Sequence, residues 1–179
     1  MVKAILTLSL CTVLGTSLQA RDLDPSRSFI GLEVGAATIQ GDTGAFLLGE
    51  PDHKGSDVEY GFRLGTQTNA WRTMFVFNFF DSSDDDQNYE KGFLELDYFF
   101  LNDDDTSSDF RPYIGANLGY MNYESTNIDS SGILYGGQAG FAYKIMDTVD
   151  LDIMYRYSLT DADNTDHIES VVFGLNYLY

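Results

Sequence analysis

Two kinds of stretch in this chain carry side chains that could do chemistry. HIES brings His167, Glu169 and Ser170 together, which are the base, acid and nucleophile that acyl transfer needs. DSSDDD (81–86) and NDDD (102–105) cluster carboxylates, the ligands that hard cations take. Neither pattern has the right spacing. In an extended segment Glu169 and Ser170 point to opposite faces, and His53, the other histidine, falls in a long polar segment. The acidic runs lack the alternating ligand spacing of a calcium loop. They read as solvated acidic loops, with loose divalent bridging to anionic lipid as the weaker alternative. No metal ligand set, cofactor motif or catalytic residue is assigned.

A third set is dispersed along the chain. Glu33, Glu59, Arg63, Arg72, Glu95, Asp97, Lys144, Asp150, Asp152 and Arg156 each stand opposite an apolar residue within alternating segments. Charges gathered on one enclosed face must pair or stay hydrated, because an unpaired buried ion costs several kcal/mol. Two readings fit: a plug of salt bridges and waters, with Lys144–Asp150 the leading pair, or a thin hydrated cavity without specific pairing.

The elements that would position these charges are strands. Apolar and polar residues alternate in segments of about ten residues bounded by Gly-rich, polar or Asp-rich clusters. SFIGLEVGA, VEYGFRLGT, WRTMFVFNF, FLELDYFF, PYIGANLGY, ILYGGQAGFAYKI, VDLDIMYRY and VVFGLNYLY are the eight. Thr68–Asn69 is expected to close a two-residue turn that pairs Gly65 with Arg72, and Met146–Asp147–Thr148 a second that sets Lys144 opposite Asp150. Longer polar segments fall near 41–56, 81–88, 122–131 and 159–166, while NDDDTSSD (102–109) is a longer connection on the side of the tight turns.

Eight such strands could close with either face inward. Glycine gathers on the polar face (Gly31, Gly35, Gly61, Gly65, Gly115, Gly119, Gly140, Gly174), as suits a narrow lumen and not a solvated surface. The apolar faces, rich in Phe, Tyr, Leu and Ile, would overfill a small barrel. The polar face is therefore predicted to point inward and the apolar face toward lipid. Trp71, Tyr98, Phe100, Tyr143 and Tyr177 then fall near one rim, and Phe77, Phe79, Tyr120, Tyr135 and Tyr157 near the other, with smaller or aliphatic residues between. Two aromatic girdles flanking an apolar band are the signature of a transmembrane barrel. The last segment, with Phe173, Leu175, Tyr177 and Tyr179 on one face, needs no cover because lipid supplies it.

The remaining features agree. Residues 1–20 run from Lys3 through an apolar stretch to small residues at Ala20, the layout of a secretory signal and too short to span a bilayer. The barrel domain is expected over 21–179. Cys11, the only cysteine, lies in the removable part, behind a Leu10 too bulky for a lipoprotein site, so no disulfide or lipid anchor is expected. A formal charge of −18 excludes binding to nucleic acid by phosphate neutralisation.

RPYIGANLGY with its following hairpin, the early FIGLEVGA and the aromatic-ended last strand resemble the OmpA-like and opacity-type outer-membrane β-barrel family of Gram-negative bacteria, over about 27–179. The resemblance implies an eight-stranded antiparallel transmembrane up-and-down β-barrel in the outer membrane, exported by its signal peptide. It also implies outer-membrane lipids and lipopolysaccharide as surroundings. The barrel-assembly machinery would be a biogenesis partner, reading Tyr179, Tyr177, Leu175 and Phe173 as an insertion signal. No peptidoglycan-binding domain follows the barrel, so no cell-wall tether is expected. The expected role is structural or surface interaction through acidic outer loops, with an extracellular ligand left unnamed and little or no porin conductance. The alternatives are a secreted lipocalin-like carrier, a narrow channel, or a lipid A-modifying barrel enzyme.

Overall fold

The structure, a computed structural model, describes residues 26–40, 54–82, 87–100, 109–125, 128–162 and 167–179. The expected signal segment with Cys11, His53, NDDD, Asp84, Asp85, Asp86, Asp163 and Asp166 lie outside the described residues.

Alternation becomes eight strands: β1 (Arg27–Gln40), β2 (Lys54–Gln67), β3 (Trp71–Ser82), β4 (Gln87–Phe99), β5 (Phe110–Ser125), β6 (Ile128–Met146), β7 (Val149–Thr160) and β8 (His167–Leu178). Each pairs antiparallel with its chain neighbour, and β8 closes on β1. The strands are longer than their apolar cores predict. Most of the 122–131 stretch, read as a loop, is ladder, because Glu124 pairs with Asp129 and Ser125 with Ile128. Backbone hydrogen bonding continues past the apolar band, since ladder bonds do not require apolar side chains.

The first tight turn differs in register from expectation. Gln67 pairs with Arg72, and Gly65 with Met74 rather than Arg72. Thr68 decides this. Its amide donates to the Trp71 carbonyl at 2.7 Å, and its Oγ1 accepts from the Trp71 amide at 3.0 Å, so the two residues between them are Asn69 and Ala70 and not Thr68 and Asn69. A shift of two residues keeps every side chain on its face. At the second turn Lys144 pairs with Asp150 as expected, followed by an irregularity before Met146.

Following ladder partners once around the barrel from Phe29, through Gly65, Met74, Glu95, Asn117, Gly136, Ser158 and Ile168, returns to β1 at Ile39, ten residues on. With about 3.3 Å per residue and 4.8 Å between strands, that stagger tilts the strands by roughly 40°. It therefore sets residues distant in sequence at the same height in the lumen.

The faces are inverted relative to a water-soluble barrel. Arg63, Arg72 and Arg156 are among the largest fully buried side chains, whereas Leu32, Tyr60 and Leu118 stand exposed. One end of the barrel holds the start of β1, the end of β8 and the β2–β3 and β6–β7 turns, and is here called the turn end; the opposite end is the loop end.

Candidate functional site in the barrel lumen

Inward positions of six strands build a column of charge, and β6 adds the neutral Gln138. Nearest the turn end, Arg111 on β5 meets Asp150 on β7 at 2.9 Å, and Gln67 Nε2 donates to Asp150 at 3.0 Å. The Arg111 guanidinium also lies 4.5 Å from the Phe99 ring centroid. Next, Arg72 on β3 grips Asp97 on β4 at 2.8 Å and Asp152 on β7. Tyr113 covers that group: its hydroxyl donates to Asp152 at 2.7 Å and its ring centroid lies 4.4 Å from the Arg72 guanidinium. Gln138 donates to Asp97 at 2.7 Å.

Deeper in, Arg63 on β2 pairs with Glu33 on β1. Arg156 on β7 lies 3.2 Å from Glu33, 2.7 Å from Glu95 on β4 and 3.9 Å from Glu59 on β2. Asn78 donates to Glu33 at 2.5 Å. Lys91 on β4 closes the column toward the loop end by pairing with Glu59 at 2.5 Å.

Nine of the ten sequence-assigned lumen charges, Glu33, Glu59, Arg63, Arg72, Glu95, Asp97, Asp150, Asp152 and Arg156, are buried in this column. Lys144 is the correction. Its side chain is 42% exposed and bonds Asp147 at 2.7 Å rather than Asp150, although Asp150 is its ladder partner. Lys144 sits at the rim beside the turn, where its long stem carries the ammonium out to water, and Asp150 is already held by Arg111 and Gln67. That hydrogen bond holds the Asp147 carboxyl below its usual range.

Asn78 and Gln138 fall on the polar face of their alternating segments and are buried with the column, whereas Lys91, Arg111 and Tyr113 are not among the residues that the sequence assigns to the lumen. Lys91 precedes the apolar run of β4, and Arg111 precedes Pro112, so both lie outside the alternating segments. Continuing the alternation two residues outward from Phe93 and from Tyr113 would have found both. The lumen glycines make room for this chemistry. A Cβ on Gly115 would lie 2.6 Å from the Leu96 carbonyl oxygen and 2.7 Å from Gln138 Nε2.

HIES does not assemble. Ser170 is buried in the lumen, while His167 and Glu169 occupy the outward face, with His167 Nε2 3.2 Å from Glu169 Oε1 and the Tyr155 hydroxyl donating to Glu169 at 2.9 Å.

The outward faces carry most of the described aromatics, while Phe29, Phe93, Phe99 and Tyr113 are buried inside. Trp71, Tyr98, Phe100, Tyr143 and Tyr177 are exposed toward the turn end, and Phe77, Phe79, Tyr120, Tyr135 and Tyr157 toward the loop end. Trp71 lies 4.8 Å from Tyr98, and Tyr98 meets Phe100 edge-on at 5.9 Å. Phe173, Leu175, Tyr177 and Tyr179 are all exposed on the same face.

Several solved outer-membrane proteins superpose on this closed eight-stranded barrel. Neisserial surface protein A superposes with a TM-score of 0.64 at 18% identity, over 86% of this chain and 99% of that one. Outer membrane protein H (OprH) of Pseudomonas aeruginosa gives 0.59 at 19% identity, over 86% and 99%. The fold is that of the small outer-membrane barrels. The P. aeruginosa outer membrane protein OprG shares it, with a TM-score of 0.52 at 18% identity over 86% and 97%. At these identities the small outer-membrane barrels fix architecture alone. No family model and no curated sequence matches the chain.

Proposed function

We propose that this chain is an integral protein of the Gram-negative outer membrane with a structural or surface-interaction role, and that it carries out no catalytic turnover. The observation that carries this reading is the inversion of its faces. Arg63, Arg72 and Arg156 are completely enclosed while Leu32, Leu96, Phe173 and Leu175 are not. A water-facing carrier of the lipocalin type requires the opposite placement, with an apolar interior to hold its ligand. In lipid, a closed barrel satisfies every strand's backbone and lets the outer face be apolar.

The ionic column spans the bore, and an eight-stranded barrel has room for its own side chains and little else, so this reading includes no general porin activity. Specificity then resides in the connections at the loop end, whose sequences are rich in acid. Residues 1–20 direct export. Phe173, Leu175, Tyr177 and Tyr179 form the strand recognised by the barrel-assembly machinery, and the two aromatic sets lie at the lipid headgroups.

The test is to fractionate the membranes of the producing cell and run the protein unboiled and boiled on a detergent gel. An outer-membrane location with a heat-dependent shift supports the reading. A soluble protein without a shift overturns it. Thermal stability with and without calcium tests whether the acidic connections bridge divalent ions to lipopolysaccharide, and an unchanged transition counts against that bridge.

A further inference from the structure

Carboxyl groups outnumber cations in the column. Among the described residues, Arg63, Arg72, Lys91, Arg111 and Arg156 stand against the enclosed Glu33, Glu59, Glu95, Asp97, Asp150 and Asp152. Lys144 does not make up the difference, because its ammonium sits at the rim on Asp147. One enclosed carboxyl group is therefore in excess.

Their partners show which one. Asp152 accepts from the Tyr113 hydroxyl on Oδ1 and from Arg72 on Oδ2. Asp97 accepts from Gln138 on Oδ1 and from Arg72 on Oδ2. Glu33 accepts from Asn78 on Oε1 and from Arg63 on Oε2. Asp150 holds Arg111 and Gln67, and Glu59 holds Lys91. Glu95 differs from all of these. Its Oε1 lies 2.7 Å from Arg156 Nε without the alignment of a hydrogen bond, and no donor reaches its Oε2, although the residue is fully enclosed. Glu33 also claims the Arg156 guanidinium, at 3.2 Å.

Nothing beside Glu95 supplies what is missing. Its ladder partners are Met74 on β3 and Asn117 on β5. A thioether is a weak acceptor and no donor, and the Asn117 amide is engaged by Gln138 and Ser158, each at 2.9 Å. The charged groups acting on Glu95 are Arg156 on β7, Asp97 on its own strand, Glu33 on β1 and Arg63 on β2. A hard cation takes several oxygen ligands, and among the described residues no group of three acidic, histidine or cysteine side chains is placed to hold a metal ion. A proton needs only one oxygen, and an enclosed carboxylic acid costs far less than an enclosed carboxylate with a bare oxygen.

We propose that Glu95 is a proton-binding site, neutral in the folded barrel at neutral pH, and the position through which the bore gains or loses charge. With that proton in place each enclosed negative charge has a matching positive one. Alkali that removes the proton makes Glu95 a rival of Glu33 for Arg156, and draws the guanidinium away from the contact that ties β7 to β1. The bore is then firmest with Glu95 protonated and loosens as the proton leaves.

Infrared spectra of the refolded protein in detergent, with isotope-labelled glutamate carboxyl groups, read the proton directly. At about pH 7 we expect a protonated-acid carbonyl band that is lost in Glu95→Gln. Absence of that band from the wild-type protein, a reading that needs no variant, overturns the proposal, as does a band that survives the substitution. Stability supplies a second readout. In the unfolded chain Glu95 ionises near about pH 4.3. The folded protein keeps the proton to higher pH, so the wild type loses stability as the pH rises above that point. Glu95→Gln has the shape of the neutral acid and cannot ionise. Its urea midpoint should match wild type at about pH 4 and exceed it at about pH 7. Glu33→Gln, which removes a carboxylate with donors on both oxygens, should lower the midpoint at the higher pH. A Glu95→Gln midpoint at or below wild type at about pH 7 would mean that Glu95 serves Arg156 as a charged partner, and would overturn the proposal.

Discussion

Arg156 on β7 reaches over β8 to Glu33 on β1, with Nη1 3.2 Å from Oε1, and ties two strands that share no ladder. The same guanidinium meets Glu95 at 2.7 Å from the opposite wall. One side chain therefore braces the bore across its width.

Removing that brace leaves Glu33, Glu59 and Glu95 enclosed with one cation fewer. Breaking a buried pair from one side costs about 3–5 kcal/mol. Arg156→Ala is expected to lower stability by that order, read from the urea midpoint of the refolded barrel. Arg156→Lys keeps the charge but loses the fork that serves several carboxylates at once, and should fall between. An Arg156→Ala midpoint equal to wild type would mean that the column contributes nothing to stability.

Conductance should follow the same substitution. With the native column intact, planar-bilayer recordings are expected to show at most rare small openings. In Arg156→Ala the surplus carboxylates favour cations, so openings become more frequent and the reversal potential in a salt gradient moves toward the cation value. Anion selectivity would contradict the charge assignment.

At the rim, Lys144 and Asp147 form a solvent-facing pair of the kind that adds little. Lys144→Ala should leave the unfolding midpoint unchanged, whereas Arg111→Ala, which strands the enclosed Asp150, should lower it measurably. Equal effects would indicate that Lys144 pairs with Asp150 after all.

Glycines divide by the face they occupy. A Cβ on Gly174 would lie 2.9 Å from Arg63 Nη2, and one on outward-facing Gly92 would meet nothing closer than 3.6 Å. Gly174→Val is expected to prevent refolding or displace Arg63, with a large loss of the heat-resistant band. Gly92→Ala should stay within about 0.5 kcal/mol of wild type, as surface substitutions generally do.

How far these features can be read without coordinates depends on their range. The two-residue period assigns Glu33, Arg63, Arg72 and Arg156 to the lumen because a strand flips its side chains at every step, whatever its neighbours do. Which of them meet is another matter. Lys144 and Asp150 are register partners across a hairpin, and local reasoning pairs them. The pairs that form, Arg156–Glu33 and Arg72–Asp152, depend on a ten-residue stagger that accumulates around the whole barrel and appears in no single hairpin. Lys91 and Arg111 escaped because apolar runs were used to mark strand ends, and the ladder extends past them. Ala162 keeps the inward parity of Asp152, Met154, Arg156 and Ser158, so the same alternation reaches it two residues past the end of β7.

The central claim is that the apolar faces meet lipid and the charged faces meet one another. Spin labels placed singly along β8 of the bilayer-reconstituted protein test it, at Val171, Phe173 and Leu175 on one face and Val172 and Asn176 on the other. The account predicts that labels at 171, 173 and 175 collide with oxygen dissolved in the lipid and are shielded from a water-soluble nickel chelate, while those at 172 and 176 are shielded from both. Ready access of the nickel chelate to 171, 173 and 175 would mean that this face lies in water, and would contradict the account.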